Sequence, residues 1–379
     1  MNSQSVQKGF ESLRHLKLQQ VRSVIHPKRY QRSMLKAMSS YTVDALLYTG
    51  AIAGVILSPW PWLKLLFGVL AGCFVATMFC WGHDCAHGTV FRNRRIAEFF
   101  GTVFMLPSLN MYRLWIQGHN RVHHGFTSFS PIDWIWRPLT PEQYQAMPRY
   151  RRAWYHLERS LPFCALHYLS QVWWKGMVCY RPDPGSHTAS GMRAHKLLTL
   201  LFALAFGSLL AWLGGGFWAV MAGLVVPFIV FNYFIALVVY LHHTHPDVPY
   251  FDQKSQWNPV IGHLYCTTII RCSPIGDRLL HNILTHTPHH VDPAIPFYNL
   301  KGAARDLMRA YGNYLHEYRF SWRQVWRIFS QCKLYDFKSH TWHSFRQVKR
   351  SQRDQHKPHA TGSNHHQLMM RPAEPQMTE

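Results

Sequence analysis

LLTLLFALAFGSLLAWLGGGFWAVMAGLVVPFIVFNYFIALVVYLHHTHP, Leu197–Pro246, carries no Asp, Glu, Lys or Arg over about 50 residues, roughly twice what a helix needs to cross ~30 Å of hydrocarbon. It reads as two crossings. Gly214, Gly215 and Gly216 interrupt it near its middle, and glycine suits a tight reversal between antiparallel helices. A second pair lies upstream. Ala45–Leu63 is free of charge, Lys64 follows, and Leu65–His83 is free again, with Ser58-Pro59-Trp60-Pro61-Trp62 as a hinge at headgroup depth. The expected fold is an all-α membrane protein. Four transmembrane helices, about 43–60, 63–83, 197–213 and 217–241, form two hairpins under a cytoplasmic helical cap.

Composition agrees. Of 379 residues 48% are apolar and 15% charged, while 40 Lys+Arg against 18 Asp+Glu give a net charge of +22. Intrinsic disorder of the whole chain and a disulfide-stapled scaffold are both excluded, because the aromatic load is heavy and the eight Cys are dilute with no CxxC. A pI near 9.9 also fits a nucleic-acid surface. The basic residues flank apolar segments, however, and there they attract anionic headgroups or an acidic protein partner, so no nucleic acid is expected. Residues 1–44 carry eight Lys/Arg, 84–196 and the segment after 247 are rich in Arg, and the hairpin tips carry almost none. By the positive-inside rule both termini and the middle segment face the cytoplasm, which for a bacterial chain means the inner membrane.

The 26 histidines are the unusual number. Three groups are dense: His83-Asp84-Cys85-Ala86-His87, His119-Asn120-Arg121-Val122-His123-His124 and His286-Thr287-Pro288-His289-His290. Spacing at i and i+4 points His83 with His87, and His119 with His123, to one side of a helix; His124 is turned about 100° away, so neighbouring rings reach two ions. In the third group Pro288 fits a first helical turn with Thr287 as N-cap. One HxxxH arises by chance in such a chain, but two three-histidine patterns together are expected on the order of once in a hundred. His242-His243-Thr244-His245, at the end of the last span, adds a further imidazole. About nine nitrogens suffice for two metals with positions left open. Imidazole without carboxylate suits iron better than magnesium or calcium, and zinc stays open. His83-Asp84-xx-His87 also approaches the HExxH helix of zinc proteases, though with Asp in place of Glu.

HDCAH, HNRVHH and HTPHH, with spans before and between them, resemble the three histidine boxes of the membrane fatty acid desaturase family, in its acyl-lipid delta-12/omega-6 branch. Asp133-Trp134-Ile135-Trp136-Arg137-Pro138-Leu139-Thr140, Leu241-His242-His243-Thr244-His245-Pro246 and Ile295-Pro296-Phe297-Tyr298-Asn299-Leu300 resemble that branch too, and the likeness covers roughly residues 40–320. It implies two irons held by His83, His87, His119, His123, His124, His286, His289 and His290, with His243 as the further ligand. It also implies O2 as co-substrate and a lipid-bound acyl chain that gains a cis double bond. The middle box is HxxxHH where omega-6 members show HxxHH, a spacing shared with membrane alkane hydroxylases, and Ala86 stands where a Gly is usual. Hydroxylation or ketolation on the same core therefore stays open, as does a non-enzymatic metal binder.

Asp84 and His281 are the expected partners that orient ligand imidazoles. Asn282, Asp133 and Asp292 are read as surface or capping residues, and Cys85 as a small packing residue. Trp, Phe and Leu of the spans and of residues 96–117 are candidates to line an acyl channel. No GxGxxG, haem or iron–sulfur motif occurs, so electrons come from a separate ferredoxin-like donor. By domain, 1–40 is a basic lead-in, 41–335 the desaturase-like domain and 336–379 a polar, disordered tail. The tail's His340, His343, His356, His359, His365 and His366 lack ligand spacing.

Overall fold

The computed structural model describes residues 3–183, 186 and 188–355. Four helices are long and apolar enough to cross a membrane: Met34–Leu57, Pro61–Ala86, Ala189–Gly214 and Phe217–His243. The first starts where Ser33 accepts a hydrogen bond from the Lys36 amide and stops at Ser58, because Pro59 cannot continue it. Pro61 opens the second at its first position, where the missing N–H costs nothing. Lys64, read from sequence as a break between apolar runs, lies inside this second helix. Its Nζ donates to the carbonyls of Val55 at 2.7 Å and Ile56 at 3.3 Å, so the cation satisfies the otherwise open C-terminal turn of the first helix.

The third and fourth long helices are joined through Gly215 (φ +84°) and Gly216 (φ +81°), left-handed positions that disfavour a side chain. The second helix packs against the first and the fourth. At Gly68 a Cβ would lie 2.3 Å from the Ala222 carbonyl oxygen, so the backbones there approach as only glycine allows. The outer faces remain apolar: Leu57 and Trp212 are each 80% exposed. Isolated apolar residues on a water-facing surface need no account, but whole helix faces of them fit hydrocarbon.

Outside the four long helices the described residues are mostly helical, with two small sheets that hydropathy did not announce. Thr268–Arg271 runs parallel to His316–Arg319, and Leu334–Asp336 pairs antiparallel with Thr341–His343. The lead-in is folded: Ser3–Leu13 and Leu18–Ser23 are helices that bury Val6, Phe10, Leu13 and Val21 with Leu264, Leu300 and Leu307. Arg29 Nε meets Asp306 at 2.9 Å, and Arg22 Nε donates to the Val291 carbonyl at 2.8 Å, which ties the lead-in to the third histidine group.

Residues 336–355, placed by sequence in the polar tail, carry regular structure. The hairpin ending at His343 is held by Trp342 Nε1 donating to the Val248 carbonyl at 3.0 Å, and His340 is buried. Phe345–Gln355 is a helix belonging to a separate unit. His356, His359, His365 and His366 lie outside the described residues.

Candidate metal centre

His83 lies in the last turn of the second long helix and His87 caps it. The middle group sits on a π-helix, Ile116–His123, continued by His124, whose amide donates to the His119 carbonyl at 2.9 Å. The i→i+5 bond widens the turn, and the His119 and His123 rings stand 5.5 Å apart. The third group forms the helix His286–Val291 with Thr285 rather than Thr287 as its N-cap, which places His286 inside the helix.

The rings converge. His83, His87, His119 and His289 have ring nitrogens within 4.8 Å of one another, as do His123, His243, His286 and His290. His124 lies between these sets: its ring stacks on His290 (4.2 Å, 8°) and stands 4.8 Å from His87 and 4.9 Å from His289. All nine residues singled out as ligands are thus brought together, from four separate parts of the chain. Of the three histidines after the last span, His243 joins the second set. His242 instead stacks on His286 at 3.7 Å, and His245 pairs with Gln324 Nε2 at 2.9 Å and stacks on Tyr318. His263, on the π-helix Ile261–Tyr265, approaches His124 and His290. An isolated histidine in GHLY gave the sequence no signal for it.

Hydrogen bonding shows what the second set can hold. His123 Nδ1 meets the Asp133 carboxylate at 3.0 Å, and His243 Nδ1 meets the Cys266 carbonyl at 3.3 Å. Both acceptors lack hydrogens, so both Nδ1 atoms are protonated. Thr127 Oγ1 donates to the His123 carbonyl at 2.8 Å and so accepts from His290 Nδ1 at 3.1 Å. Three Nε2 lone pairs therefore face inward. His243 Nε2 is 3.1 Å from both His123 Nε2 and His286 Nε2, and His290 Nε2 is 2.9 Å from His286 Nε2. The lone pairs of His123 and His243 Nε2, 3.1 Å apart, repel unless a cation lies between them.

The first set has its own signature. His83 Nδ1 meets Asp84 at 3.0 Å, leaving Nε2 for the cluster, while His87 Nε2, His119 Nε2, His289 Nε2 and both nitrogens of His124 are buried without a hydrogen-bond partner. Unpaired buried polar atoms are costly and call for an explanation; a bound metal supplies one. Burial, with the neighbouring histidines adding to it, pushes His87, His119, His124, His286, His289 and His290 well below the usual imidazole range, and burial pushes His263 down to about 4. Neutral imidazole is the ligand form.

Two expectations about supporting residues change. Asp133, read as a surface or capping residue, is 2% exposed and accepts from His123 and from the Ser128 and Ile135 amides. His281, read as a partner of a ligand ring, bonds instead to Asp44 Oδ2 at 2.6 Å, which also accepts from Trp81 Nε1 at 2.8 Å. Asn282 donates to the Phe297 carbonyl and Asp292 accepts from Tyr30. Cys85 is buried in the core and belongs to none of the metal-binding groups found among the described residues.

An apolar cleft of about 80 Å³ runs between the second and fourth long helices, walled by Ala76, Phe79, Phe231, Phe234, Ile235, Val238 and Val239, and it ends on His83, His119, His242 and His286. Its lining is apolar and includes histidines of both sets.

A family profile described as "Fatty acid desaturase" matches residues 59–322. The chain is 28% identical over 341 residues to the sn-1 oleoyl-lipid 12-desaturase of Picosynechococcus sp., covering 88% of this chain and 94% of that protein. It is 29% identical over 296 residues to the protein of the same name from Arthrospira platensis, covering 76% and 80%. The chloroplastic omega-6 fatty acid desaturase of Arabidopsis thaliana is 28% identical over 314 residues, covering 80% of this chain and 66% of that one.

Proposed function

The chain belongs to the fatty acid desaturase family, and from that premise we propose that it inserts a cis double bond into a lipid-bound acyl chain at a pair of irons. His83, His87, His119 and His289 would hold one iron and His123, His243, His286 and His290 the other, with His124 between them. The inward-facing Nε2 lone pairs carry this reading. The overall change is –CH2–CH2– + O2 + 2e− + 2H+ → –CH=CH– + 2H2O. When bound, the irons supply the oxidant that an unactivated methylene requires and no side chain provides.

The protein's own part is positional. Phe79, Phe231 and Val238 exclude water and hold an apolar chain against the histidines, so the carbon that lies nearest the centre is the one that reacts. Asp84, Asp133 and Thr127 fix the tautomers and ring angles of His83, His123 and His290. The names of the cyanobacterial relatives support the position 12 bond of an oleoyl lipid. A ferredoxin-like donor would dock on the basic face, which we place on the cytoplasmic side of a bacterial inner membrane together with both termini. Docking of that kind weakens with salt.

Expression in a host whose lipids contain only saturated and monounsaturated chains tests the reading. New dienoic acyl chains, 2 mass units (about two hydrogens) lighter than the monoene, are expected. Oxygenated chains, or an unchanged profile with reductant supplied, would overturn it.

A further inference from the structure

A chamber of about 1250 Å³, far larger than the apolar cleft, includes His87 of the first histidine set in its lining. Residues from the ends of three apolar helices form it: Tyr30–Arg32 just before the first, Cys85–Gly88 at the end of the second, and Thr188 and Met192 at the start of the third. If these helices cross a bilayer, the chamber lies at headgroup depth.

Its chemistry is one-sided. Arg32, Arg92, Arg94, Arg113 and Arg121 line it with a single carboxylate, Glu98. That carboxylate is taken: Arg113 meets it at 2.5 and 3.1 Å, and His195 at 3.2 Å. Among the described residues, Arg32, Arg92 and Arg94 have no acidic partner, and Arg121 bonds only to the Gln117 amide oxygen at 3.2 Å. Several guanidiniums around a concavity suit a phosphate, which accepts their paired hydrogens. Phe91, Ala97, Ile116 and Met192 share the lining with these arginines and with His87. The lining is therefore amphiphilic, and it includes one of the candidate metal ligands.

We propose that this chamber binds the phosphate of the acyl carrier, so that the enzyme selects phosphate-bearing acyl lipids over uncharged ones. The inference rests on the desaturase reading and deepens it. Two sources present the same chemistry, a glycerophospholipid headgroup and the phosphates of an acyl thioester carrier. Simple anchoring of helix ends to the bilayer would use the same arginines but would not select one lipid for tight retention.

The test is lipid retention on the full-length protein by native mass spectrometry, with dioleoylphosphatidylglycerol, dioleoylglycerol and oleoyl-CoA offered in competition. About tenfold preference for a phosphate-bearing species over dioleoylglycerol is expected. The favoured species identifies the carrier. In R32Q/R92Q the preference should fall to about one, with iron content and melting temperature unchanged, and R32K/R92K should recover part of it. Equal retention of dioleoylglycerol, or a preference that survives in R32Q/R92Q, overturns the proposal. Selective retention by a protein that desaturates nothing would instead sink the desaturase reading and leave this one standing.

Discussion

Asp133→Asn is the sharpest perturbation of the candidate centre. The carboxylate is buried; Oδ2 accepts from His123 Nδ1 at 3.0 Å and from the Ser128 amide at 2.9 Å, and Oδ1 accepts from the Ile135 amide at 3.2 Å. An asparagine has one oxygen for three donors. Turned toward His123, it sets its NH2 against the Ile135 N–H; turned the other way, it sets two donors against each other at His123. The charge that favours a protonated Nδ1 is lost either way. A charge-assisted hydrogen bond is worth about 1.5–3 kcal/mol, and a partner one step behind a metal ligand is worth roughly 10–100-fold in affinity, about 1.4–2.8 kcal/mol. The two magnitudes agree. We expect the chelator concentration that strips half of one iron to fall by 10–100-fold, while the second iron, held by the His83 set, follows the wild-type curve. Asp84→Asn should do the reverse. The assay is iron per chain after graded chelator dialysis. Superimposed curves for D133N and wild type would refute the reasoning that Asp133 orients a ligand.

Three other predictions follow from different parts of the molecule. Asp44→Asn can keep its one oxygen on both Trp81 and His281, which share Oδ2, but it loses the charge and should cost about 1 kcal/mol, read as a lower melting temperature at unchanged iron content; iron loss without a change in melting would return His281 to the metal centre. Gly68→Ala sets a Cβ against the Ala222 carbonyl, an overpacking that backbone must relieve, so thermal stability should drop by roughly 1–3 kcal/mol; a neutral result would mean the second and fourth helices do not pack as closely as described. His316 donates to the Tyr265 carbonyl, and burial pushes it to about 4. A lowered imidazole pKa means the unfolded chain binds the extra proton first, so stability is lost as pH falls from about 6.5 toward 4, by at most about 3 kcal/mol; His316→Gln should flatten that stretch of the stability–pH curve, and an unchanged slope would remove His316 from the account.

The spans and boxes were legible because each is written locally. Charge-free runs and repeated histidines survive in any window of sequence, and all nine ligand candidates converge as their spacing and family likeness suggested. What was not legible depends on contacts across the chain. Asp133 is one aspartate in a Trp-rich loop until the fold turns it onto His123. His281 stands close to the third box in sequence, yet its left-handed backbone (φ +48°) goes with a bond to Asp44 of the first helix. His263 had neither spacing nor neighbours to mark it. The middle box shows a subtler limit. Its histidines lie on a π-helix, a turn that i,i+4 spacing does not announce. The tail was misread at its start because Leu334–Asp336 and Thr341–His343 are too short to show alternation and are held by a tryptophan bond to Val248.

Metal analysis of the purified full-length protein, wild type beside His123→Ala, tests the central claim most directly. The account predicts about two irons per chain in the wild type and loss of iron in H123A. Wild-type protein that holds zinc in place of iron, or H123A that keeps its full complement, would contradict it.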